Sequence, residues 1–184
     1  MLFAVPTSVS GHIMNEGLVT DRRPSKEEYY LSIAKEVALR GTCLRRNFGA
    51  VIINNDQIIS TGYTGAPRGT QNCIDVGHCY REQHNVPSGE RYELCRSVHA
   101  EMNSVIHAAR SEMVGGSLFL TGIEAKTGEL VEDAEPCKLC KRVIINAGIK
   151  YVYVMMNGGQ VRRMLVSDWV ANESGEFYAD TKGY

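Results

Sequence analysis

The order of apolar patterns along the chain predicts an α/β domain, with helices packed on a mixed β-sheet and elements running α-β-β-α-β-α-β-α. Three observations carry that prediction. Two apolar runs, FGAVIIN and QIISTGY, flank a short polar turn. Two more, SLFLTG and KYVYVMM, stand later and apart. Helical periodicity separates these later runs from the first pair and from one another.

The first helix is placed at residues 25–40. Ser25 and Glu28 have capping-box spacing, Gly41 supplies a stop, and Tyr30, Ile33, Ala34 and Val37 form the apolar stripe. The next two runs predict a β-hairpin over residues 48–63, turning at NDQ. Residues 64–97 carry Gly, Pro, Asn and charge with little periodicity. That reads as a long structured loop, and such length inside a compact domain points to function or to a staple. A helix follows at residues 99–110, then the strand SLFLTG, a helix at 138–147 ended by Gly148, the strand KYVYVMM, and a last helix at 162–171. Residues 1–22 lack a basic segment and a long apolar stretch, so they read as a flexible leader to a single domain at 23–184.

Lys+Arg 20 against Asp+Glu 21 gives a net charge of −1 over 184 residues. A protein whose main partner is a long nucleic acid is usually more basic. No run approaches the ~18 apolar residues that cross a bilayer. A cytoplasmic protein acting on a small anionic ligand fits this balance. Six cysteines without an export signal favour metal ligation or catalysis over a disulfide framework.

Two motifs carry chemistry: HAE at residues 99–101 and PCKLC at 136–140, each opening an expected helix. His99, Cys137 and Cys140 make three zinc ligands and leave a fourth position for water, the open arrangement of a catalytic site. Helix N-termini favour thiolates. Glu101, two residues beyond His99, is placed to move protons rather than to bind metal. H-x-E followed by P-C-x-x-C is the signature of zinc nucleobase deaminases. The plainer alternative is a structural CxxC pair beside an unrelated histidine. His107 reads as a packed or surface residue.

On TCLRRNFGAVIINNDQIISTGYTGAPRGTQNC, CRSVHAEMNSVIHAA and EPCKLCKRVIINAGIKYVY, residues 25–156 resemble the deoxycytidylate (dCMP) deaminases of the cytidine deaminase-like superfamily. The resemblance implies a three-layer fold, a five-stranded mixed sheet between helices, with zinc at two helix N-termini. It implies hydrolysis of dCMP to dUMP and ammonia for thymidylate synthesis, by attack of a zinc-bound hydroxide on C4 with Glu101 as proton shuttle. It places Arg46, Thr64 and Ala100 at the substrate. Arg46 is the candidate for the 5′-phosphate, because a guanidinium grips phosphate oxygens in a fork; the alternative is a solvated arginine at a strand entrance. Arg68 is a second, weaker candidate. Thr64 stands where the family carries asparagine, and a hydroxyl cannot offer the two-headed pattern of an amide. The family also implies a homo-oligomer, hexameric in some members, with Mg2+ accompanying effector nucleotides.

Four cysteines remain, spaced Cys43-x29-Cys73-x5-Cys79-x15-Cys95. Four thiols are the complement of a closed structural zinc site, which the polar loop needs as a staple. Several family members carry a second zinc near this position, some with a histidine ligand, and His78 is the alternative to Cys79. Four separate buried thiols are the competing reading. Three rivals to dCMP deamination stand beside it: deamination of another cytosine nucleotide or nucleoside, a zinc-stapled nucleotide-binding protein without turnover, and an RNA- or DNA-editing role, which the neutral charge and the absence of a basic tail disfavour.

Overall fold

The computed structural model describes residues 23–178 except 88 and 133, so the leader expected at 1–22 lies outside the described residues. Helix α1 (Lys26–Ala38) starts on the expected capping box: Glu28 N–H donates to Ser25 Oγ at 3.1 Å, and Ser25 N–H to Glu28 Oε2 at 2.7 Å. Its buried face is Tyr30, Leu31, Ala34 and Ala38, while Ile33 and Val37 are half-buried at its edge. The expected stripe is therefore rotated toward Leu31, whose carbonyl accepts the Thr121 hydroxyl at 3.0 Å.

Strands β1 (Arg46–Asn54) and β2 (Gln57–Tyr63) form the antiparallel hairpin. Asn55 and Asp56 make its two-residue turn with φ of 48° and 63°, the left-handed conformation that asparagine and aspartate tolerate best among side-chain-bearing residues. The insertion that follows is a chain of short turns: α2 (Cys73–Val76), α3 (Tyr80–Gln83) and a 3-10 turn at Tyr92–Leu94.

The helix expected at 99–110 is two helices, α4 (Ala100–Ile106) and α5 (Arg110–Met113). His107 ends the first, its Nδ1–H donating to the Thr61 carbonyl at 2.9 Å. Glu112 starts the second by accepting the Ala109 N–H at 3.0 Å. Strand β3 (Ser117–Glu124), helix α6 (Lys138–Ala147) and strand β4 (Tyr151–Met155) lie where the patterns placed them.

The last helix begins later than expected. Residues 161–165 form β5 (Val161–Leu165), antiparallel to β4, and only then does α7 (Val166–Ala171) start. Met164 and Val166 are buried two apart, as in a strand, and Val166 and Trp169 three apart, as in a helix. One short apolar run therefore served both periods, and pairing with β4 decided its first half.

The sheet order is β2-β1-β3-β4-β5, mixed because β3 and β4 run parallel. Alternation along β1 sends Val51 and Ile53 to α1, and Ala50 and Ile52 to the opposite core of α4, α6 and α7. The result is three layers, helix on sheet on helices. Among the described residues no helix is long and apolar enough to cross a membrane.

Candidate active site

Two helix N-termini meet beside the sheet. His99 is the N-cap of α4 and Cys137 the N-cap of α6, both in extended conformation, with Cys140 in the first turn of α6. His99 Nδ1 lies 3.4 Å from Cys137 Sγ and 3.3 Å from Cys140 Sγ. Among the described residues, only these three bring their ligand atoms within 4.8 Å of one another. Tetrahedral zinc with its usual bond lengths would hold nitrogen and sulfur about 3.5 Å apart, so the donor set and its spacing fit zinc.

Helix α4 is fixed by β2. A Cβ on Gly62 would stand 2.3 Å from the Ala100 carbonyl and from the Ser104 nitrogen, so glycine lets the helix backbone lie directly on the strand. The Ser60 hydroxyl donates to the Ser104 carbonyl at 2.7 Å, and the Ser104 hydroxyl to the Glu101 carbonyl at 2.8 Å. The Asn103 side chain donates to the Tyr63 carbonyl at 2.8 Å. His107 Nδ1–H is already spent on Thr61, so its Nε2 accepts from Arg68 at 3.1 Å; both residues brace this helix outside the cavity wall.

Charge at the centre is strongly coupled. The Cys137 thiol is lowered to about 4, first by hydrogen bonding from Cys140 and, against burial, by His99. Cys140 is pushed up, since it keeps the proton that it shares with Cys137 and is itself buried. Burial works against the His99 cation, but Cys137 and Glu101 outweigh it and leave its pKa raised. Glu101 is 4% exposed, and burial pushes its carboxyl up. Ala100 is fully buried in the first turn of α4, where backbone N–H groups have no partner within the helix.

His99, Glu101 and Cys137 line a cavity of about 340 Å3, roughly the size that takes a small metabolite, while Ala100 and Cys140 lie behind its lining. Thr64 lines it, but its Oγ1 accepts the Phe48 N–H at 3.0 Å, which ties the hydroxyl to β1. Arg46 lines it from the rim, half-exposed, with Nε donating to Glu124 Oε1 at 2.8 Å. Cys43, Cys73, Cys79, Cys95 and His78 all stand on its wall. Burial raises the thiols of Cys73 and Cys95, and Cys43 adds to the rise at both. Cys43 Sγ accepts the Arg45 N–H at 3.4 Å, and Cys73 Sγ lies 3.6 Å from Ser97 Oγ. Cys95 follows the 3-10 turn and lies outside α4, so its four-residue distance from His99 is not a helical pairing.

Sequence reasoning passed over two residues of this wall. Arg81, in α3, is 6% exposed and its guanidinium lies 4.9 Å from the Tyr92 ring. The Tyr92 ring in turn meets His99 edge-on at 4.9 Å. Neither belongs to a motif; an arginine so deep in a polar loop was the signal, visible only once the loop is folded.

Three comparisons bear on this arrangement. The family model described as cytidine and deoxycytidylate deaminase zinc-binding region matches residues 24–156. A deoxycytidylate deaminase of Schizosaccharomyces pombe is 35% identical over 71% of this chain, which spans 37% of that protein. A deoxycytidylate deaminase of Mycobacterium phage D29 is 33% identical, covering 71% of this chain and 94% of the phage protein. The crystal structure of dCMP deaminase from cyanophage S-TIM5 in complex with dCMP and dUMP superposes with a TM-score of 0.52 at 26% identity. That match covers 72% of this chain and 82% of the phage one. With the matched region running from α1 through both ligand-bearing helices to the end of β4, the chain belongs to the cytidine and deoxycytidylate deaminase zinc-binding family.

Proposed function

We propose that this protein is a zinc-dependent hydrolase that converts dCMP and water to dUMP and ammonia. The observation that carries the reading is His99 Nδ1 set against both thiols of α6, with the buried Glu101 one turn-step away on the same cavity floor. His99, Cys137 and Cys140 hold the metal. Zinc, when bound, supplies the Lewis acidity that ionises water near neutral pH. Glu101 receives the proton that water gives up and delivers it to N3 of cytosine, then takes the remaining proton from the new C4 hydroxyl and passes it to the departing amine. A C4–O bond forms and the C4–N bond breaks. Tyr92 and its neighbours in the insertion line the same cavity and would restrict bulk water beside the bound base. Ala100 supports the pyrimidine from the first turn of α4. Arg46 offers rim charge to the nucleotide phosphate once it lets go of Glu124.

The same reading includes a second, structural zinc held by Cys43, Cys73, Cys79 and Cys95, with His78 as the substitute for Cys79. All four line the same cavity, which supports it, although no three of their sulfurs lie within 4.8 Å of one another and the metal would have to draw them together. It extends to a cytoplasmic homo-oligomer. The test is ammonia release from dCMP, CMP, deoxycytidine and a cytosine-containing oligonucleotide. dCMP is expected to be the best substrate. Turnover of the oligonucleotide but not of dCMP overturns the proposal.

A further inference from the structure

Arg81 is a buried cation that makes no ion pair among the described residues; Glu93 feels its charge but pairs with Arg91. It stands on the wall of the catalytic cavity. Among the described residues it has no carboxylate partner, and Nη2 is held only by the carbonyls of Pro87 and Glu90. Nε is buried with no hydrogen-bond partner at all. Nη1 likewise makes no hydrogen bond to the described residues. Leaving buried guanidinium N–H groups without acceptors is unfavourable, so a site built this way favours a ligand that brings acceptor oxygens.

The other arginines of the wall are differently placed. Arg45 pairs with Glu82 and Arg46 with Glu124. Arg96 is exposed and donates to the Gln71 carbonyl. Arg81 alone among them combines burial with the absence of a carboxylate. Two ring contacts of 4.9 Å, guanidinium on Tyr92 and Tyr92 on His99, link it to the metal ligand. These two contacts bound how far the guanidinium stands from the His99 ring, keeping it within the length of one nucleotide.

We infer that Arg81 is the specificity-determining residue for the 5′-phosphate of the substrate. The phosphomonoester compensates the buried charge and takes up the N–H groups that the 87–90 segment leaves free. This rests on the reading of the substrate as a free nucleotide. It moves the main phosphate contact from the rim, where Arg46 already has a partner, to the wall. Phosphate oxygens accept guanidinium N–H groups in fixed directions, so lysine should replace Arg81 poorly.

The test compares kcat/KM for dCMP and for deoxycytidine in the zinc-loaded wild type, Arg81→Gln and Arg81→Lys. The ratio of the two is expected to fall on the order of 10- to 100-fold in Arg81→Gln and by less in Arg81→Lys. An equal loss on both substrates would show that Arg81 only holds the loop, and an unchanged ratio would show no contact with phosphate; either overturns the inference. A second measurement needs no variant. Inorganic phosphate should compete with dCMP in the wild type, and failure to compete at concentrations that saturate other phosphate sites counts against the proposal. Should the wild type deaminate neither substrate, the proposed function fails. Calorimetry of dUMP against deoxyuridine then still decides Arg81: tighter dUMP binding that Arg81→Gln abolishes supports it, and equal binding overturns it.

Discussion

Glu101 stands apart from the metal ligands because it is buried beside them without being one of them. A carboxylate in that place suits the acid–base task proposed for it. Glu101→Gln is isosteric and keeps the packing, so it should remove turnover by at least about 100-fold while zinc stays bound. Metal analysis and ammonia release on the same sample check this, and retained turnover would strip Glu101 of its role. Tyr92 is the residue through which the insertion touches His99. Both ligand motifs were legible before any coordinates, since HAE and PCKLC each fall at a helix start and their donors complete one set. Arg81 and Tyr92 were not. A lone arginine and a lone tyrosine in a polar loop have no period, and their burial depends on how the loop folds back.

Among the elements, α4 shows how the sheet sets catalytic geometry. It has only seven residues and depends on its seat on β2, where Gly62 lets two backbones meet. Gly62→Ala forces a Cβ into the helix backbone, an overpacking that should cost about 1–3 kcal/mol. Denaturant melts measure that cost, and turnover should fall further than stability alone explains because His99 and Glu101 ride on the displaced helix. The hairpin turn offers a pH-dependent check. Tyr30 donates to Asp56 Oδ1 at 2.7 Å, and this bond, with burial, pushes the phenol up to about 12. The folded state thus holds the tyrosine proton more tightly than the unfolded chain does, whose value is near the ordinary 10. The stabilisation is whole below pH 10 and is lost as pH rises to about 12. The melting-temperature gap between wild type and Tyr30→Phe should narrow over that window; a gap that widens would contradict the assignment. The elements read best from sequence were those with long, clean periods: α1, the hairpin and α6. β5 and the break at His107 escaped because pairing with another strand settled them, β5 with β4 just before it and His107 with Thr61 of β2. Local pattern does not carry that information.

At the scale of the molecule, the three layers bring the two ligand-bearing helices to one side of the sheet, and the insertion then walls the cavity above them. Four cysteines stand on that wall, Cys43 just ahead of β1 and the other three in the insertion. Metal analysis of active protein should find two zinc ions per chain, and a chelator should lower the melting temperature as well as the activity. One zinc in fully active protein would mean that the four thiols are separate buried groups. The order of layers was legible from the alternation of strand and helix patterns, whereas the cavity wall was not, since it is made from the one stretch without periodicity.

The central claim is that water adds to C4 of a cytosine nucleotide as ammonia leaves. Deamination of dCMP in 18O-labelled water tests it most directly, with the product read by mass spectrometry. The account predicts dUMP carrying one heavy oxygen on the base and one ammonia released per turnover. Product without the label, or no dUMP from zinc-loaded protein, would contradict it.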